Sequence, residues 1–135
     1  MPQIAKAHVV LVDDAPDFLE PIVFWLESKG YRVTTFNDGA SALRFLETQV
    51  PDLIFLDIQM PGIDGLQTLE QIRVTHKKLP VVMLTGSFHT KLYFTKASQL
   101  GASGFFPKQS SLDELVEIIE TTLRAHGLGG SDANR

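Results

Sequence analysis

The chain has 135 residues, 44% hydrophobic and 21% charged, the size and balance of one compact domain able to bury its own core. A formal charge of -4 withholds the basic face that direct nucleic-acid binding needs, and the absence of cysteine excludes disulfide and thiolate chemistry. No signal-peptide pattern opens the sequence and no apolar run reaches membrane-spanning length, so a cytoplasmic domain free of the membrane is expected.

Two periodicities alternate along the chain. Short apolar runs at 8–12, 31–36, 53–56, 80–84 and 103–106 are strand-sized, and several are apolar on both faces. Segments of helical length lie between and after them, at about 17–29, 39–49, 64–77, 88–100 and 111–126. Five strand–helix units in one domain imply a parallel sheet covered by helices on both sides, an α/β three-layer sandwich.

The helix punctuation agrees. Asp17-Phe18-Leu19-Glu20 and Ser111-Leu112-Asp113-Glu114 have capping-box spacing, and Gly30 and Gly101 stand where helices should end. With Asp17 as N-cap, Pro21 falls at the fourth helical position, where it costs one early hydrogen bond. Phe18, Leu19, Ile22, Val23, Trp25 and Leu26 share an apolar arc on this helix, whereas Phe24 falls among Asp17, Glu20 and Ser28 and should be exposed. The domain is expected to span 1–126. Gly127-Leu128-Gly129-Gly130 makes 127–135 a flexible C-terminal tail or the start of a linker.

Ligands of such sheets bind outside the carboxyl ends of the strands. The first run ends in Asp13-Asp14, the third in Asp57, the fourth in Thr85 and the fifth in Lys108. One such aspartate is usually a turn former or a helix cap. Three carboxylates, a hydroxyl and an amine from four strand ends are hard to explain that way. Three clustered carboxylates repel one another until a cation joins them, and Lys108 alone cannot balance them. Oxygen donors of this type suit Mg²⁺ and, through it, a phosphoryl oxyanion.

These residues carry a family resemblance. Pro51-Asp52-Leu53-Ile54-Phe55-Leu56-Asp57-Ile58-Gln59-Met60-Pro61-Gly62-Ile63-Asp64-Gly65 resembles the signature of the receiver domains of two-component response regulators, with the chemotaxis receivers as a close likeness. Val10-Leu11-Val12-Asp13-Asp14, Thr85-Gly86 and Gly101-Ala102-Ser103-Gly104-Phe105-Phe106-Pro107-Lys108 match the other motifs in order, over about residues 6–126.

The resemblance implies a flavodoxin-like (βα)5 fold of strand order 2-1-3-4-5. It also implies a phosphorylation switch, not a conventional enzyme, that catalyses its own phosphorylation and dephosphorylation. Asp57 would be the phosphoacceptor for a sensor histidine kinase or histidine phosphotransfer protein. Mg²⁺ (or Mn²⁺) would be held by the Asp14 and Asp57 side chains, the Gln59 main-chain carbonyl and, through water, Asp13. Lys108 would pair with a phosphate oxygen, and Thr85 would hydrogen-bond another. Gly86 would leave room and donate its N–H. Thr85 and Phe105 would form the switch, acting on an output domain or effector protein through the surface around helix 4, strand 5 and helix 5. The resemblance also allows a homodimer.

Three positions depart from the family pattern. Gln109 replaces the proline that commonly follows the lysine, so the Lys108–Gln109 bond should be trans. Phe105 replaces tyrosine, and Gly86 replaces alanine and should loosen the loop. Of the clustered aromatics Phe88, Tyr93, Phe94, Phe105 and Phe106, Phe106 is expected in the core, and one or two of Phe88, Tyr93 and Phe94 in a partner-binding patch. None of His8, His76, His89 and His126 has metal-ligand spacing, although His89 lies near the expected phosphate loop and His126 suits a helix end. Lys77-Lys78 fits a solvated helix end. A receiver fold without phosphate chemistry would have lost Asp57 or Lys108, and an aspartyl-phosphate hydrolase would carry a carboxylate where Gln59 stands. No P-loop pattern occurs.

Overall fold

A computed structural model describes residues 6–86 and 91–127, and the expectations for Phe88 and His89 lie outside the described residues. The elements are β1 (His8–Val12), α1 (Pro16–Ser28), β2 (Arg32–Phe36), α2 (Gly39–Leu46), β3 (Leu53–Asp57), α3 (Gly65–Thr75), β4 (Val81–Thr85), α4 (Lys91–Gln99), β5 (Gly104–Pro107) and α5 (Leu112–Ala125). All strand pairs are parallel and the order is β2-β1-β3-β4-β5, the flavodoxin-like topology.

Strand alternation sorts the core into two layers. Val9, Leu11, Phe55, Val82, Leu84 and Phe106 pack under α1 and α5 against Leu19, Ile22, Leu26, Leu115, Ile119 and Leu123. Val10, Val12, Ile54, Leu56 and Met83 face the other way, onto Ala42, Leu46, Leu69, Ile72 and Ala97 of α2, α3 and α4. β3 and β4 are buried at every position, which explains their unbroken apolar runs. The same parity puts Phe106 in the α1/α5 core and its neighbour Phe105 on the α4 side, half-buried. Trp25 is half-buried against the α1/α5 core, and Phe24 is 75% exposed.

The start of α1 corrects the sequence reading. Its N-cap is Ala15, in an extended conformation with no side-chain cap, and Pro16 opens the helix. The Asp17–Glu20 pair has capping-box spacing but already lies inside the first turns. The entry is fixed instead by Asp13, whose Oδ1 accepts the Ala15 N–H at 2.9 Å, and proline suits a first helical position because no partner is needed there. Pro21 is therefore the sixth helical residue. It sits on the exposed face and leaves the Asp17 carbonyl without an intrahelical donor.

Elsewhere the caps are conventional. Ser111 and Glu114 form the expected capping box, and Asp64 with Gln67 forms another. Asp38 caps α2 by accepting the Ser41 N–H at 2.7 Å. Gly30 and Gly101 both have φ of +97°, and each closes a helix by the paired bonds of a Schellman turn, Tyr31 N–H to Leu26 carbonyl and Ala102 N–H to Ala97 carbonyl.

Arg73 ties two helix ends together. Its Nε and Nη2 donate to the Gly101 carbonyl at 3.1 and 2.7 Å, and Nη1 donates to the His76 carbonyl at 2.8 Å.

Candidate functional site

Parallel topology brings the ends of β1, β3, β4 and β5 to one edge. Asp13 follows β1, with its N–H donating to the Phe36 carbonyl at 3.0 Å, and it is fully buried. Asp57 closes β3 and is buried, its Oδ1 accepting the Ile58 N–H at 2.9 Å. Lys108 follows β5. Its N–H donates to the Thr85 carbonyl at 2.8 Å, which fixes the root of the side chain to the end of β4. Its ammonium then lies 2.8 Å from Asp13 Oδ2 and 3.2 Å from Asp57 Oδ1, bridging the two buried carboxylates.

Asp14 is exposed and completes the acidic group, in which one carboxylate oxygen from each of Asp13, Asp14 and Asp57 lies within 4.8 Å of the others. Burial first, and the Asp13 charge second, push the Asp57 carboxyl above its ordinary range, against the opposing pull of Lys108 and the Ile58 N–H. For Lys108, burial pulls downward, but the Asp13 hydrogen bond and the charges of Asp57 and Asp13 outweigh it and hold the ammonium above its usual range. One cation shared between buried anions leaves net negative charge in a group of hard oxygen donors. That donor set fits a divalent hard cation.

The α3 entrance presses on the Asp57 backbone. A Cβ on Gly65 would stand 2.2 Å from the Asp57 carbonyl oxygen and 2.8 Å from Ile58 Cα, and the Gly65 N–H donates to the Ile58 carbonyl at 2.7 Å. Only glycine allows that approach.

The structure places the other expected residues as follows. Thr85 is buried at the end of β4, Gly86 beside it is exposed, and Gln59 is exposed two residues past Asp57. The Lys108–Gln109 bond is trans. Alternation along β4 and β5 directs Thr85 and Phe105 to the same side of the sheet, beneath α4. There the Phe105 ring meets Phe94 edge-on at 4.9 Å, and Phe94 meets Tyr93 at 5.6 Å. Burial and the charges of Asp57 and Asp64 push the Tyr93 phenol well above its usual range. The three described histidines make local hydrogen bonds: His8 Nε2 with Thr34 Oγ1 at 2.8 Å, His76 Nδ1 with Thr75 Oγ1 at 2.8 Å, and His126 Nδ1 with the Thr122 carbonyl at 3.0 Å. A cavity of about 770 Å³ opens at the opposite edge of the sheet beside Arg73, Lys77, Lys78 and His126, far from this chemistry.

One contact was not legible in the sequence. Phe18, half-buried on α1, holds its ring 5.1 Å from the Lys108 ammonium. Helical periodicity places Phe18 on an apolar arc but says nothing of a lysine ninety residues away.

Residues 9–120 match the response regulator receiver domain family. The chain belongs to that family. This receiver is 37% identical over 118 residues to the regulatory protein VanRc of Enterococcus gallinarum, covering 87% of this chain and 50% of the relative. It is likewise 37% identical over 119 residues to the DNA-binding transcriptional regulator NtrC of Escherichia coli K12, covering 87% of this chain but 25% of that protein. The receiver thus spans half or less of the length of these relatives. Among solved structures it resembles NtrX from Brucella abortus in complex with ADP, with a TM-score of 0.84 and 33% identity over 93% of this chain and 28% of the other. It also resembles the chemotaxis response regulator CheY4 of Vibrio cholerae, with a TM-score of 0.81 and 26% identity over 88% of this chain and 100% of that one. Among the described residues no helix is long and apolar enough to cross a membrane.

Proposed function

We propose that this receiver takes a phosphoryl group from the phosphohistidine of a sensor kinase or phosphotransfer protein onto Asp57. The observation that carries the reading is the cluster of Asp13, Asp14 and Asp57 within 4.8 Å, with Lys108 bridging its two buried members. An Asp57 carboxylate oxygen attacks phosphorus, the P–N bond breaks, and the electron pair leaves on the imidazole nitrogen. Lys108 then exchanges a carboxylate for a phosphoryl oxygen, while the Thr85 hydroxyl and the Gly86 N–H take the others. Asp13, Asp14, Asp57 and the Gln59 carbonyl would hold Mg²⁺ or Mn²⁺, which when bound neutralises charge on the phosphoryl oxygens.

The added charge draws Thr85 toward the edge, and Phe105 follows into the space beneath α4. The altered surface of α4, β5 and α5 then acts on an output domain or effector in the cytoplasm. Residues 1–126 form the switch and 127–135 a tail or linker. Gln59 offers no carboxylate to activate water for hydrolysis of the acyl phosphate.

Incubation with acetyl phosphate and Mg²⁺, followed by intact mass, tests the reading. The wild type should gain one phosphoryl group, and Asp57→Asn or added chelator should abolish the gain. A wild type that stays unmodified, or an Asp57→Asn protein modified equally, overturns it.

A further inference from the structure

We propose that Phe18 is a positioning residue for Lys108, an aromatic seat that keeps the ammonium at the phosphoryl site when the carboxylates turn to a metal; this rests on the reading of Asp57 as acceptor. Among the described residues, the charged end of Lys108 meets Asp13 Oδ2 at 2.8 Å, Asp57 Oδ1 at 3.2 Å and the Phe18 ring at 5.1 Å. The two carboxylates are also the donors that a divalent cation would engage. A cation at that position competes with Lys108 for the same oxygens, so both ion pairs weaken when the site is loaded. The ring does not titrate and is no metal ligand. Its quadrupole attracts the ammonium whether or not the carboxylates are occupied.

The setting favours this role. The side chain of Lys108 is 28% exposed, so without a wall on the α1 side the ammonium could swing into solvent and lose its aim. Phe18 is that wall. It is anchored by the buried Leu19 and Ile22 of the same helix and packs against the α1/α5 core. Beyond it lies a cavity of about 200 Å³ between α1 and α5, lined by Phe18, Pro21, Phe106, Lys108 and Leu115 among others. Lys108 thus stands between the acidic edge and this cleft, whose lining is mostly apolar but includes Asp17, Ser110 and Ser111. The ring sets which side its charge faces.

The test uses Phe18→Leu, which keeps an apolar side chain but removes the π face, and Phe18→Tyr, which restores it. The initial rate of phosphorylation by acetyl phosphate with saturating Mg²⁺ should fall about two- to tenfold in Phe18→Leu and return to near wild type in Phe18→Tyr. In a Lys108→Ala background Phe18→Leu should change the rate no further, because the ring has nothing left to position. Independently of activity, the Lys108 ε-methylene protons should resonate upfield in the wild type through the ring current and return to ordinary positions in Phe18→Leu. Equal rates for wild type and Phe18→Leu, a full additional loss in the Lys108→Ala background, or unshifted ε-methylene protons would each overturn the inference. A wild type that takes no phosphoryl group would instead sink the reading of Asp57.

Discussion

The acidic edge and the face beneath α4 adjoin at the ends of β4 and β5, yet different physics holds each of them. At the edge, Asp13 and Asp57 are buried charges sharing one ammonium, with Gly65 pressed against the Asp57 backbone. Little there can move without exposing an unpaired charge or forcing a clash. Beneath α4, the rings of Tyr93, Phe94 and Phe105 meet edge to face and are half-buried. Such contacts are shallow and tolerate several geometries. On the proposed function, chemistry would be housed in the brittle region and transmission in the adaptable one, with Thr85 where they join.

The sharpest way to break this contrast is Gly65→Ala. Its Cβ meets backbone, which cannot rotate aside, so the variant should lose about 3 kcal/mol of stability in urea unfolding and a corresponding share of phosphoacceptance. A loss below about 1 kcal/mol would mean the edge is softer than described.

The pH dependence comes next. Burial and the Asp13 charge raise the Asp57 carboxyl, so the native state binds its proton more tightly than the unfolded chain does. Its contribution to stability is complete below the unfolded carboxylate range and is lost as pH rises through the native value. Without divalent metal, Asp57→Asn should therefore be more stable than wild type at neutral pH, and Mg²⁺ should narrow the gap by stabilising wild type alone. Melting temperatures with and without chelator measure this, and a less stable Asp57→Asn protein would contradict it.

The aromatic face should respond more mildly. A double-mutant cycle on Phe94→Leu and Phe105→Leu should give a coupling of about 0.5–1.5 kcal/mol, with acetyl phosphate acceptance within about twofold of wild type. A large loss of acceptance would merge the two regions into one. Smallest of all, Phe24→Ser on the exposed side of α1 should stay within about 0.5 kcal/mol of wild type in the same unfolding experiment.

Much of this was legible in the sequence because the strands are apolar and their ends are charged. Asp13, Asp14, Asp57 and Lys108 could be read as neighbours once parallel strands were inferred, since topology alone collects carboxyl ends at one edge. The start of α1 was misread because Asp17 and Glu20 imitate a capping box, while the decisive bond comes from Asp13, outside the helix. The Asp64–Gln67 box went unnoticed, although its spacing is as plain as that of Ser111 and Glu114. Phe18 beneath Lys108 was beyond reach for a different reason. It joins a helix to a distant strand end, and no local pattern records that distance.

Arg73 gives the molecule a fulcrum. Three guanidinium donors hold the Gly101 and His76 carbonyls, so the C-terminal end of α4 is riveted to the end of α3. Sliding α4 along the sheet would break charge-assisted bonds, whereas tilting it about that rivet breaks none. Any displacement of α4 on switching should therefore be least near Gly101 and greatest at Lys91. A partner reading this helix would meet the signal as an angle rather than a shift.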